Sequence, residues 1–489
     1  MRISELSFAS LRAAESIRRA TSEIAEAQQR ISTGVRLNSA ADGTADIGKV
    51  SRLTSEIQKF VQNSTSNIFA QRLVETADLA HKSIQELLDS MLTTANKSVL
   101  STASASNRES NQTSVSGLIK EVDTVAQTTS FSGQNLTDGT YINKKLLGGS
   151  GNSSVSISIN SLKASAIGTN TTTLASKAAS NEAGATADGA FNLVGKATKS
   201  IDYAGSASAE TIAGLINAVK DDTRVTAAAE TKAKLKTLSN AGTITFSLNG
   251  VSSGNIVVSS TSDLTAITTA INAISSTTGV DAETSTDKTF VTLRSSTGKN
   301  IVFAAFNNDN GGVDTIQLAA LDRQGNEVNT HTITNTDGSG TAIAAARGYV
   351  VMNSENAFSY AMTAASGTDF TSASSAFKSV SAIDVSTKAG AEEAKDVIST
   401  ARETVVNQRT TLGGVGNRLK FSEDYNQSQI TSLSTARGNI VDADIAKESS
   451  RLASATILLE SASAMLAQAN ISKELLLNLL ISPYGARFR

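Results

Sequence analysis

Cysteine and tryptophan are both absent from the 489 residues. Without thiols, neither a disulfide framework nor a thiolate metal site can be built. Only two histidines exist, His81 and His331, far apart in the chain. That excludes zinc sites made of several imidazoles and the HExxH helix of metalloproteases. The one proline, Pro483, lies in the extreme tail, so long uninterrupted helices are permitted upstream. Aromatics make up 4% and apolar residues 39%. Such a chain favours about three slim domains or a rod over one large core. A charge of one sign is missing too. With 43 basic and 45 acidic residues, there is no electrostatic case for nucleic acid or an acidic membrane surface. The most apolar run, Leu475 to Ile481, is interrupted by Asn478 and is too short to span a bilayer. The start, Met1 to Leu11, carries Glu5 and does not read as a cleavable signal peptide. The expectation is a chain that is cytoplasmic or exported without such a signal.

What is present lies first at the two ends. Ile17, Ile24 and Ile31 recur every seven residues, with Ala13, Ala20 and Ala27 on the same stripe. Ile445, Leu452, Leu459 and Leu466 repeat likewise, beside Ala455, Ala462 and Ala469. A seven-residue repeat keeps one narrow seam facing a partner helix. The seams predict termini that pair with each other and stack on further copies, with an intramolecular bundle core as the plainer reading. Between them, helical period covers Leu6 to Ile31, with a break at Gly34 and a turn from Asn38 to Gly43. A second long helix runs from Val50 to Met91, its seam shifted near Val61 and Ile68. Ser101 to Ser114 reads as a polar loop and Val115 to Val125 as a short helix. Val155, Ile157 and Ile159 alternate with serines, as in a half-buried strand.

The region from about Gly168 to Ser379 holds an internal repeat. Phe191, Leu193 and Gly195 reappear as Phe246, Leu248 and Gly250. Ile216-Asn217-Ala218 reappears as Ile271-Asn272-Ala273, and Val225 and Leu238 as Val280 and Leu293. Each pair is 55 residues apart. Each unit reads as strand, helix, strand, strand. Helical period returns after Lys388, where Ala391, Ile398, Val405, Leu412 and Leu419 share one row through Gly413, Gly414 and Gly416. A terminal helix is expected from about Val441 to Leu480. The fold class is therefore mainly α at both termini, as long antiparallel heptad helices forming coiled coil and bundle. A β-hairpin and a β-rich α+β central insertion complete it.

Four segments resemble bacterial flagellin. Arg30-Ile-Ser-Thr-Gly-Val-Arg-Leu-Asn-Ser39, with the turn Ala41 to Gly43, is similar to the signature between that family's first two helices. Thr129-Ser-Phe-Ser-Gly-Gln-Asn-Leu136 resembles its segment before a β-hairpin. Ala436-Arg-Gly-Asn-Ile-Val-Asp-Ala-Asp-Ile445 resembles its C-terminal motif, and Met465-Leu-Ala-Gln-Ala-Asn470 with Leu475 to Leu480 its closing helix. The resemblance implies a structural, non-enzymatic subunit, secreted and extracellular, that self-assembles through its terminal helices into the flagellar filament for swimming motility. It implies an inner layer from 1–37 and 447–489, a tube layer from 38–169 and 380–446, and an exposed variable region from 170–379. Implied partners are copies of itself, the flagellar type III export apparatus, an export chaperone, the filament cap and hook-associated proteins. No nucleic acid, membrane or cofactor is implied, and no catalytic, cofactor-binding or metal residue.

Two departures stand out. Counted without gaps, the family's positions read by toll-like receptor 5 hold Glu86, Ser90 and Ser114, so weak recognition is expected. The basic tail from Ile481 to Arg489 also extends past the family's usual closing leucines. Asp442 and Asp444 read better as helix caps than as an acid–base pair. His81 reads as a packing or surface residue and His331 as a loop residue, neither with an evident partner. Alternatives remain: a hook–filament junction protein, a filament-displayed enzyme, and an adhesin binding through the insertion.

Overall fold

A computed structural model describes residues 3–100, 102–147, 154–175, 189–335, 343–363 and 372–481. Met1, Arg2 and the tail from 482 onward, with Pro483, lie outside them.

In chain order the elements begin with α1 (Ile3–Thr33), α2 (Thr44–Val99) and α3 (Ala105–Thr128). Short strands follow as β1 (Ser130–Phe131) with β2 (Gln134–Asn135), and β3 (Lys144–Leu147) with β4 (Ser154–Ile157). Next come β5 (Gly168–Leu174), β6 (Gly189–Val194), β7 (Thr198–Tyr203), α4 (Ala209–Ala218), α5 (Lys220–Thr223) and β8 (Thr226–Lys236). Then β9 (Gly242–Leu248), β10 (Val251–Ser252), β11 (Ile256–Val258), α6 (Thr265–Ala273), α7 (Ser275–Thr278), β12 (Asp281–Thr284) and β13 (Phe290–Ser295). The insertion closes with β14 (Ile301–Asn308), β15 (Asp314–Leu321), β16 (Glu327–Asn335), β17 (Ile343–Ala346), β18 (Tyr349–Ser354), β19 (Ser359–Met362), β20 (Ala373–Ser374) and β21 (Ala376–Ser379). Two helices end the chain, α8 (Lys388–Val441) and α9 (Ile445–Ile481).

The chain forms two compact units. One comprises 1–72, 145–156 and 416–489; the other comprises 73–144 and 157–415. In the first, α1 lies antiparallel to α9, and the early part of α2 packs on the late part of α8 through Phe60 and Tyr425, edge to face at 6.3 Å. In the second, Ile84, Leu88 and Met91 of α2, Val115 and Val122 of α3, and Val397, Ile398 and Val405 of α8 share one core.

Each 55-residue copy has its own core. Phe191, Leu193, Ile216 and Val225 are buried in one, and Phe246, Leu248, Ile271 and Val280 in the other. The same side-chain clip recurs in both. Asn217 Nδ2 donates to Ala227 O at 2.8 Å and Ala227 N donates back to Asn217 Oδ1 at 2.9 Å. Asn272 does the same to Ala282 at 2.9 and 2.8 Å. An asparagine amide offers a donor and an acceptor side by side, so it satisfies an adjacent backbone pair as a neighbouring strand would. The long strand β8 joins the copies, pairing with β13, β15 and β18. Within this unit α8 is tied to the sheet by Lys232–Glu392 at 2.6 Å and Arg323–Asp396 at 2.5 Å.

Several expectations need correction. Ala105 to Ser114 is helix, not loop. Ser104 caps α3 by accepting from Asn107 N at 3.1 Å, and Arg108 donates to Ser98 O and Leu100 O at the end of α2. A polar helix with caps at its start carries little apolar period, which is why the stretch reads as a loop. A hairpin, β6–β7 or β9–β10, precedes the helix in each copy where one strand was expected. Val441 belongs to α8, and α9 starts at Ile445. His331 lies in β16 opposite Leu318 of β15, not in a loop. His81 is fully buried and has partners: Ala77 O at 2.7 Å and Gln408 Oε1 at 3.0 Å.

The clips give a graded prediction. Asn217→Ala leaves a partly buried N–H and carbonyl unpaired and should cost about 1–2 kcal/mol. Asn272→Ala, whose clip is open to water, should cost less. Thermal unfolding of the two variants measures this; equal or absent shifts would remove the clip from the account of the insertion's stability.

Candidate assembly interface

The first unit brings together the two motifs that stand farthest apart in sequence. α1 stops at Gly34, whose φ of +69° suits glycine, with Gly34 N donating to Arg30 O at 2.9 Å. Val35 then makes a lone antiparallel bridge with Asp442. Arg36 N donates to Val441 O at 2.7 Å, and Ala443 N donates to Gly34 O at 2.9 Å. The Arg36 guanidinium reaches the Ile440 carbonyl at 3.2 Å through Nε and 2.8 Å through Nη2. That carbonyl lies in the last turn of α8, where carbonyls lack helical partners and a cation is favoured. Arg36 also pairs with Asp46 at 3.2 Å.

Arg30, in the last turn of α1, makes a second set of bridges. It meets Glu448 at 3.2 Å and Asp42 at 3.8 Å, and both Arg30 and Glu448 are largely withdrawn from water. Asp42 accepts from Ser39 N at 2.6 Å, Ser39 Oγ at 3.0 Å and Asn38 N at 3.0 Å, which fixes the turn. Asp444 caps α9, accepting from Lys447 N at 3.1 Å. Segment 30–46 and segment 436–448 thus form one hydrogen-bonded junction.

From this junction α1 and α9 run back antiparallel. Arg30 sits beside Glu448 at one end, and Lys473 Nζ donates to Ser10 Oγ at 3.1 Å toward the other. Ala13, Ala20 and Ala27 of α1 are buried, as are Ala455 and Ala462 of α9. Ile17, Ile24 and Ile31 flank them, half-buried, and so do Leu452, Leu459 and Leu466. Ile445, at the helix start, is 46% exposed. The seam therefore has a partner inside the chain, with small side chains at its centre so that the helices lie close.

The other side of α9 has no such cover. Ile457 is 63% exposed, Leu458 57%, Met465 59% and Leu475 63%, with Ile471 beside them. These residues lie off the heptad row; the signal for them is that α9 carries apolar side chains outside its seam as well as on it. Over Ile445–Leu475 it is long and apolar enough to cross a membrane by length and composition. An exposed group of large apolar side chains on one helix marks a surface that gains from being covered. Full burial of each such side chain is worth about 1.5–3 kcal/mol.

In the second unit Glu86, Ser90 and Ser114 are exposed. Both serine hydroxyls turn back to their own helices, on Glu86 O at 3.0 Å and Ser110 O at 3.1 Å. A cavity of about 800 Å³ is also there. Its basic side chains are engaged in ion pairs: Lys232 and Arg323 as above, Lys234 with Glu327 at 3.2 Å and Lys388 with Glu283 at 3.0 Å. Among the described residues no three His, Cys, Asp or Glu side chains are placed to hold a metal.

Residues 4–142 match the model of the bacterial flagellin N-terminal helical region, and 396–480 that of the C-terminal helical region. The two matches take in both halves of the junction and of the α1–α9 pair. The chain belongs to the bacterial flagellin family. The B-type flagellin of Pseudomonas aeruginosa is 29% identical over 97% of this chain and 98% of its own length. Flagellin A of Helicobacter pylori is 26% identical over 92% and 94%. Among solved structures, FliC of Burkholderia pseudomallei aligns with 71% of this chain and 99% of its own, at 16% identity and a TM-score of 0.29.

The flagellin junction should be acid-labile. Hydrogen bonds from Ser39 and Asn38 hold the Asp42 carboxyl below its ordinary value, and the bond from Arg36 does the same for Asp46. A lowered folded pKa means that the unfolded chain binds the proton more readily. The stabilisation is present above about pH 4 and is lost as pH falls through the depressed values. Proteolysis at the α1–α2 turn should quicken below about pH 4, and Asp42→Asn should show that faster cleavage already at neutral pH. An acid response unchanged in Asp42→Asn would assign it elsewhere.

Proposed function

We propose that this chain is the structural subunit of a bacterial flagellar filament, polymerising through its terminal helices. One observation carries the reading. The segments that match the family include the α1–α9 pair and its junction, and that pair leaves an apolar face of α9 open. Self-association by a surface and its complement elsewhere on the molecule does not close on itself, and builds a helical polymer. The sequence-predicted seam residues Ile17, Ile24, Ile31, Leu452, Leu459 and Leu466 hold the pair together, with Ile445 at its entrance. Ile457, Leu458, Met465 and Leu475 meet neighbouring copies.

In this reading 1–37 with 447–489 make the inner layer, 38–169 with 380–446 the tube layer, and 170–379 the surface. The chain leaves the cell through the flagellar type III apparatus, escorted by an export chaperone, and is added beneath a filament cap beyond the hook-associated proteins. It has no enzymatic role. Weak stimulation of toll-like receptor 5 follows from Glu86, Ser90 and Ser114.

Electron microscopy of purified chain, seeded or precipitated, is the direct test. Long filaments are expected from the full chain and none from a version lacking 1–37 and 447–489. Short closed oligomers from the full chain would favour a hook–filament junction protein. The double variant Leu458→Asp, Met465→Asp should keep monomer helicity by circular dichroism yet lower polymer yield at least tenfold; normal filaments from it would move the contact to another face. Reporter cells carrying toll-like receptor 5 should respond far less than to a strongly stimulatory flagellin.

A further inference from the structure

We propose that the loop between β14 and β15 holds a hard divalent cation, of which Ca²⁺ is the representative. Asp314 is fully buried, and three donors converge on one of its oxygens. Ser239 Oγ donates to Oδ1 at 3.1 Å, Asn240 Nδ2 at 2.8 Å and Asn310 Nδ2 at 3.3 Å. Oδ2, equally buried, has no partner. Among the described residues no basic side chain pairs with it. A buried carboxylate with half its acceptor capacity unanswered is costly unless a cation supplies the missing charge.

A second orphan acceptor is held by the same tether, Asn240. Asn308 is 3% exposed, and its Oδ1 is likewise buried without a partner. Its Nδ2 donates to Asn240 O at 3.1 Å, while the side chain of the same Asn240 donates to Asp314. One residue therefore tethers both side chains whose free oxygens need a positive ligand. Gly242 leaves the space beside Asn308, since a Cβ there would collide with Oδ1. Backbone order around the pair is set by Asp309 N on Thr243 O at 3.0 Å and Gly312 N on Asn310 Oδ1 at 3.2 Å. The loop Asn307-Asn-Asp-Asn-Gly-Gly-Val-Asp314 is otherwise rich in carbonyl and amide oxygens. Oxygen-only ligation with a single buried carboxylate and amide oxygens suits Ca²⁺, which takes six to eight oxygens in flexible geometry. It suits Mg²⁺ poorly, because Mg²⁺ demands a tight octahedron. One formal charge in the first sphere places the affinity with weak extracellular modules, a Kd of about 10⁻⁴–10⁻³ M.

The test uses the full-length chain, stripped with a chelator and titrated with CaCl₂ or MgCl₂ by calorimetry, then melted in each. At about ten times Kd, bound Ca²⁺ should raise the folded-to-unfolded ratio about elevenfold. That corresponds to a few degrees in the insertion's transition. Asp314→Asn should abolish the calcium shift. Asn308→Asp, which adds a second carboxylate, should lower the Kd about tenfold or more. A wild-type chain with no calcium-specific heat or shift overturns the site. So does an Asp314→Asn variant that keeps the shift, or an Asn308→Asp variant that binds no more tightly. If Asp314→Asn fails to fold, the Asn308→Asp titration alone decides.

Discussion

Everything in the first unit depends on one constraint: the exit of α1 and the entrance of α9 must be fixed in space at the same point. Arg36 does this by directing its guanidinium to the Ile440 carbonyl and to Asp46. Arg30 does it through Glu448 and Asp42. Neither arginine is replaceable by a point charge, because each bridges two groups with directed donors. Once the junction sets the end of α1 and the start of α9, the alanine rows are in register without further help. The outward row of α9 is in turn fixed by which row faces inward. The geometry available to a neighbouring copy is therefore decided at a small cluster of polar contacts.

The helical ends were largely legible in the sequence, for a physical reason. Heptad spacing of Ile17, Ile24 and Ile31 and of Leu452, Leu459 and Leu466 is a local signal, and absent prolines leave nothing to contradict it. Gly413, Gly414 and Gly416 leave α8 unbroken, since packing on either side outweighs a propensity cost of about 1 kcal/mol each. The polar start of α3 was hidden because its helix is declared by a cap at Ser104 and by Arg108, not by period. The arrangement of the junction was hidden for another reason. The segments around Arg30 and Ile440 each look like isolated turns, and only tertiary contact shows that one supplies the carbonyls the other's arginine needs. Ile457, Leu458 and Met465 escaped because a single heptad seam leaves out whatever lies off it.

The insertion follows a different logic from the ends. Its two copies are small, each with about one aromatic cluster: Phe191 near Tyr203 and Tyr360, and Phe246 stacked on Phe303 at 4.6 Å. Neither copy could bury much surface alone. Strand β8 of the first copy pairs with β13 of the second, and asparagine clips replace hydrogen bonds that a longer ladder would have made. Polar chemistry substitutes for apolar volume throughout this region, which is why its low aromatic content does not prevent order.

The antiparallel α1–α9 pair has a consequence in time. Arg30 and Glu448 are 418 positions apart, and Ser10 and Lys473 are 463 apart. Closing a loop of that size costs about 5 kcal/mol beyond the constant for any loop. Contacts of such long range are also the slowest a chain can make. The two ends are thus the last segments to find one another after synthesis or dilution, and the first to come apart. For that interval the chain has a finished middle and two unclosed arms, and the arm of any adjacent molecule competes on nearly equal terms with its own.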